Sequence, residues 1–175
     1  KAMDNRASIC AMAECAKALK DMDTGSDIYY ACTSKEEIGG LGAKVMSHDI
    51  APDIAIVLDV TFADSWADEE IAGSCGSGVE ISIGPNIHTG LAKKLIGIAE
   101  QFGVPHYIVA YPGSTGTDAW GTQTAREGIP SLLISVPIRY MHTSIETVEY
   151  RDIESAGKLL SLFISSIKRS DIYDA

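Results

Sequence analysis

Ile54-Ala55-Ile56-Val57-Leu58, with Asp59 directly after it, is the stretch on which the fold turns. Its apolar residues run on without the alternation of a half-exposed strand, and such continuity marks a strand covered on both faces, as in a parallel sheet layered between helices. Ile28-Tyr29-Tyr30-Ala31-Cys32 reads the same way. Working outward, Val79 to Ile83, Tyr107 to Ala110 and Leu132 to Ser135 are further short β-forming runs. Helical spacing fills the intervals. Ile9, Met12, Ala13, Ala16 and Leu19 form an apolar face from Asn5 to about Met22, closed by the turn Asp23-Thr24-Gly25-Ser26. Leu91, Leu95, Ile98 and Phe102 share one face of a helix from Thr89 to Phe102, and Asp152 is placed to cap a last helix bearing Ile153, Ala156, Leu160, Phe163, Ile164 and Ile167. Strands alternating with helices predict an α/β three-layer sandwich around a mostly parallel sheet.

A chain of 175 residues, 46% apolar and 22% charged, holds one ordinary core and has none of the signature of disorder. The balance of 14 basic against 24 acidic residues, a formal charge of -10, supplies no basic stripe for a phosphate backbone, which argues against nucleic acid as a partner. The four cysteines make no C-x-x-C pair and are expected reduced and mostly buried. No apolar run approaches a membrane span and nothing resembles a signal peptide, so the expectation is a cytoplasmic protein without a membrane partner.

In an open α/β sheet the loops beyond the carboxyl ends of the strands carry the chemistry. Beyond the Ile28 run lie Glu36, Glu37, Gly39 and Gly40; beyond the Ile54 run, Asp59; beyond the Tyr107 run, Gly113-Ser114-Thr115-Gly116-Thr117-Asp118; beyond the Leu132 run, Arg139-Tyr140-Met141-His142. Carboxylates and an imidazole converging on one crevice are the donor set of a zinc, cobalt or manganese site. No G-x-S-x-G elbow, no Walker loop and no G-x-G-x-x-G fingerprint competes with that reading. A glycoside hydrolase would also use paired carboxylates, but without metal, and would leave His142 without a purpose.

Six stretches in order, Lys1-Ala2-Met3-Asp4-Asn5-Arg6, Glu36-Glu37-Ile38-Gly39, Leu58-Asp59-Val60-Thr61, Gly116-Thr117-Asp118-Ala119, Gly128-Ile129-Pro130 and Arg139-Tyr140-Met141-His142, resemble the dinuclear aminopeptidases that include glutamyl aminopeptidase, the deblocking aminopeptidases and the tetrahedral aminopeptidase, some of which carry an endoglucanase label. The resemblance spans nearly the whole chain. It implies the zinc-peptidase architecture, two divalent ions (zinc, cobalt or manganese), peptide substrates and a homo-oligomer. It further implies that Asp4 bridges both ions, that Glu37 and His142 complete one site, that Asp59 belongs to the other, and that Glu36 is the general base for hydrolysis of the first peptide bond. Asp118 is a candidate pocket residue, with turn stabilisation as the competing role, and His88, after Gly84-Pro85-Asn86-Ile87, is a candidate at the crevice border. His48 reads as a surface or capping residue and His106 as structural.

The family pattern also has a histidine upstream of the bridging aspartate, separated from it by a small inserted β domain that mediates assembly. Neither has a counterpart in these residues, so residues 1–175 read as the C-terminal portion of a metallopeptidase catalytic domain. From this follow unequal metal affinities at the two sites and little activity for these residues alone. The competing reading is a degenerate family member that serves only as a folded or assembly module.

Overall fold

The computed structural model describes residues 1–64 and 73–173. Its helices are α1 (Met3–Leu19), α2 (Leu41–Ile50), α3 (Thr89–Gln101), α4 (Asp118–Thr122) and α5 (Tyr150–Ser166), and its strands are β1 (Ala55–Phe62), β2 (Val79–Ile83), β3 (His106–Ala110), β4 (Ser131–Arg139) and β5 (Thr147–Val148). The sheet runs β1-β4-β2-β3, with β5 against β4. β1 and β4 are parallel from Ala55↔Ser131 to Phe62↔Ile138, and β2 and β3 are parallel from Val79↔His106 to Ile83↔Ala110. The two pairs join antiparallel at Glu80↔Ser135 and Ile81↔Ile134. The sheet is thus mixed, its longest ladders are parallel, and helices stand on both sides of it, the α/β sandwich expected.

β4 is the middle of the core. Leu132, Leu133, Ile134, Val136 and Ile138 are all buried, as a strand covered on both faces requires. α5 presents Ile153, Ala156, Leu159, Leu160 and Phe163 inward at helical spacing, and α1 lies directly against it. The approach is close because the facing residues are small: a Cβ on Gly157 would stand 2.6 Å from Glu14 Cβ and 3.0 Å from the Ala11 carbonyl oxygen. Among the described residues no helix is long and apolar enough to cross a membrane.

Several expectations are corrected. Ile28–Cys32 forms no strand; Tyr29 is 68% exposed, and no described residue offers the segment a ladder. Among the described residues β1 is an edge strand, and Ala55 to Leu58 are half-buried rather than covered on both faces. Between the two lies a trough of about 1220 Å³ lined by Ile28, Tyr30, Ile56 and Leu58. The buried face of α1 is Ala7, Ala11, Cys15 and Leu19; Ile9 is exposed, and it and Met12 look into the trough, because close packing on α5 selects the small residues. Glu149, not Asp152, stands at the N-cap of α5, and the Asp152 carboxylate instead accepts the Gly76 and Gly78 amides at 2.7 and 2.9 Å. The cysteines are free as expected, but Cys10 and Cys32 are exposed and only Cys15 is fully buried.

Candidate metal centre

Three chain segments far apart in sequence deliver one side chain each to a single point. Asp4 comes from the irregular first turn of α1, where Asp4 and Asn5 have non-helical dihedrals. Glu37 sits in a 3₁₀ turn, Glu36–Ile38, entered through a left-handed Lys35 and left through Gly39 and Gly40, both at positive φ, a tight path that glycine permits. Gly40 N–H closes the turn on the Lys35 and Glu36 carbonyls. His142 follows β4, itself left-handed at φ 62.

His142 Nε2 lies 3.3 Å from Asp4 Oδ2 and 3.4 Å from Glu37 Oε2. These three residues are the group among the described residues whose donor atoms all fall within 4.8 Å of one another. Ligand atoms about 2.0–2.2 Å from a tetrahedral ion stand about 3.3–3.6 Å apart, so the residues fit a zinc-like cation. Charge agrees with that fit. Burial raises the Asp4 carboxyl above its ordinary value and the neighbouring Glu37 adds to the effect, a strain that a cation relieves. Phe62 places its ring edge-on to His142, with centroids 6.5 Å apart.

Glu36 shares the turn with Glu37 and is raised by burial, then by the carboxylates of Asp118, Glu37 and Asp4. Asp118, buried at the start of α4, accepts a hydrogen bond from Thr33 Oγ1 through Oδ2, while its buried Oδ1 faces Gly40 and has no partner among the described residues. It therefore stands beside the site. Asp59 is inside β1 rather than beyond its end; its Oδ1 accepts from Val60 N–H at 2.8 Å and from Asn5 Nδ2 at 3.1 Å. Asp59 lies outside the triangle, and burial pushes its carboxyl up to about 7.

His88 is not brought to the cluster. Its Nδ1 accepts from Leu91 N–H as the cap of α3, and its own N–H binds the carbonyl of Ser131, the first residue of β4. His142 follows the far end of that strand, about 25 Å away at the rise of an extended chain. His48 is exposed in the last turn of α2, and His106 opens β3 with Nδ1 on the Val104 carbonyl, both as read.

Two acids were missed by the reading of sequence. Glu80, 3% exposed, is held by Tyr111 OH at 2.8 Å, Thr61 Oγ1 at 3.0 Å and Ser82 Oγ at 3.2 Å, and burial raises its carboxyl. Glu146 binds the backbone of the triangle itself. The one signal for Glu80 is an acid set between Val79 and Ile81 in a β-forming run, and nothing in Glu146, flanked by Ile145 and Thr147, signals its role.

The chain is 36% identical over 170 residues to a lysyl aminopeptidase of Pyrococcus furiosus, a match that covers 97% of this chain and 49% of that protein. Among solved structures, the TET aminopeptidase of Thaumarchaeota archaeon SCGC AB-539-E09 superposes with a TM-score of 0.88 at 28% identity, covering 99% of this chain and 50% of its own. The Pyrococcus horikoshii TET1 peptidase, which can assemble into a tetrahedron or a large octahedral shell, superposes with a TM-score of 0.79 at 28% identity, covering 95% and 49%. The chain spans about half the length of these relatives. The M42 glutamyl aminopeptidase family matches residues 1–159, and the chain belongs to that family.

Proposed function

We propose that the protein containing these residues is a cytoplasmic, metal-dependent aminopeptidase that hydrolyses the first peptide bond of peptides. The observation that carries this reading is the triangle of Asp4, Glu37 and His142, with Glu36 beside it in the same turn. Asp4, Glu37 and His142 would hold one ion, and Asp4 and Asp59 would serve a second. When bound, zinc, cobalt or manganese supplies Lewis acidity for the scissile carbonyl and for the attacking water. Glu36, which is not a ligand, takes the proton from that water and passes it to the leaving amine, a task suited to a carboxyl raised by burial and neighbouring acids. Asp118 lines the pocket beside Glu36.

We further propose that residues 1–175 are the C-terminal portion of the catalytic domain, and that the second site takes its remaining ligand from outside them. Two observations support this: the chain spans half of its relatives, and an open apolar trough runs to Asp59 and Glu36. A homo-oligomer, as described for the TET1 peptidase, is part of the same proposal.

Titration of the metal-free chain with zinc tests the reading. One tight site is expected, lost in His142→Ala. Two equally tight sites, or none, would overturn the assignment.

A further inference from the structure

Glu146 occupies a loop whose neighbours Ser144 and Ile145 are exposed, yet it is itself only 9% exposed. Its carboxylate is spent on backbone amides. Oε2 accepts from Met3 N–H at 2.7 Å and from Asp4 N–H at 3.4 Å, and Oε1 accepts from His142 N–H at 3.1 Å. One side chain thus ties together the main chains of two triangle residues that belong to opposite ends of the sequence.

Those main chains need tying. His142 and Tyr140 are left-handed at φ 62 and 59, and Ala2, just before Met3, has φ 56. Non-glycine residues avoid that region and stay there only where surrounding contacts over-determine them. Amide N–H groups bonded to an ionised carboxylate are such contacts, stronger than bonds to a neutral acceptor. Glu146 also places a third negative charge beside Asp4 and Glu37, a concentration that a divalent cation offsets.

We propose that Glu146 is the positioning residue of the metal triangle: by gripping the Met3, Asp4 and His142 amides with one carboxylate, it holds the Asp4 and His142 side chains at ligand separation. This rests on the metal reading above. Asp152 supplies the comparison, being a carboxylate that grips two amides in the same manner, those of Gly76 and Gly78, at a loop that contributes nothing to the triangle.

Cobalt titration of the metal-free 175-residue chain, read by visible absorption and by thermal melting, tests the inference. Glu146→Gln turns one acceptor into an NH₂ donor and so breaks one side of the grip. It is expected to weaken cobalt binding about 10–100-fold, the usual consequence of losing a group that orients a ligand, and to alter the absorption bands. Glu146→Asp keeps both oxygens but withdraws them, and is expected to give a smaller loss; it also serves if the Gln variant fails to fold. Asp152→Asn is expected to lower the melting midpoint without changing cobalt affinity or spectrum. Wild-type binding retained unchanged in both Glu146 variants, or an equal loss in Asp152→Asn, would overturn the positioning role while leaving the metal site standing. A wild-type chain that binds no cobalt would overturn both.

Discussion

Burial pushes the Asp59 carboxyl up to about 7, whereas an unfolded chain leaves it near 3.8. Between those values the folded chain binds the extra proton. The stabilisation is fully present below pH 4 and is lost as pH rises through about 7. The metal-free chain is therefore expected to lose stability over that window, and Asp59→Asn to remove a share on the order of 3 kcal/mol of the loss. Urea unfolding of both proteins at pH 4.5 and 7.5 measures it; an identical fall in the two would refute the assignment. Glu80 and Asp152, also raised by burial, act in the same direction and persist in the variant, so only the difference is informative. Residue types alone nominated Glu37, Asp59 and His142 beyond the expected strands, whereas Asp4 came only from the family resemblance, which also assigned Asp59 to a separate site. Residue types could not separate Glu37 and His142, which meet Asp4, from Asp59, because that distinction is a matter of a few ångströms between segments remote in sequence.

At the scale of elements, the contact of α1 with α5 shows where side-chain size is decisive. Gly157→Ala would gain about 1 kcal/mol of helix propensity, but its methyl would meet Glu14 Cβ at 2.6 Å and the Ala11 carbonyl at 3.0 Å. Overpacking against backbone typically costs about 1–3 kcal/mol, so a lower melting midpoint is expected in a thermal scan. A raised midpoint would mean that the two helices separate freely. Hydrophobic spacing identified α1, α3 and α5 to within a few residues, yet for α1 it placed only Leu19 correctly, because Ile9 and Met12 are more apolar than the Ala7 and Ala11 that the close contact demands. Ile28–Cys32 has the composition of a strand and no partner to pair with among the described residues.

For the molecule as a whole, Asp59 stands outside the triangle and the trough leaves its neighbourhood open on one side. Residues 1–175 alone are therefore expected to turn over amino-acid p-nitroanilides slowly or not at all, in a spectrophotometric assay with added zinc, cobalt or manganese. Robust turnover would show that the site is complete without further chain and would remove the proposal of a missing ligand. A family member that had become only an assembly module would also be inactive, but it would fail to bind metal as well, which separates the two. The α/β architecture, the resemblance to the M42 family and the ligand types were legible before any coordinates, since apolar continuity, helical period and short motifs are properties of neighbouring residues. Which strand lies at the edge, that Asp4 and Glu37 approach to 3.3 and 3.4 Å of His142 Nε2, and that Glu146 turns inward to hold the Met3 and His142 amides were decided only by folding. Pairing, burial and ligand separation are relations between residues up to 143 positions apart, and no local pattern contains them.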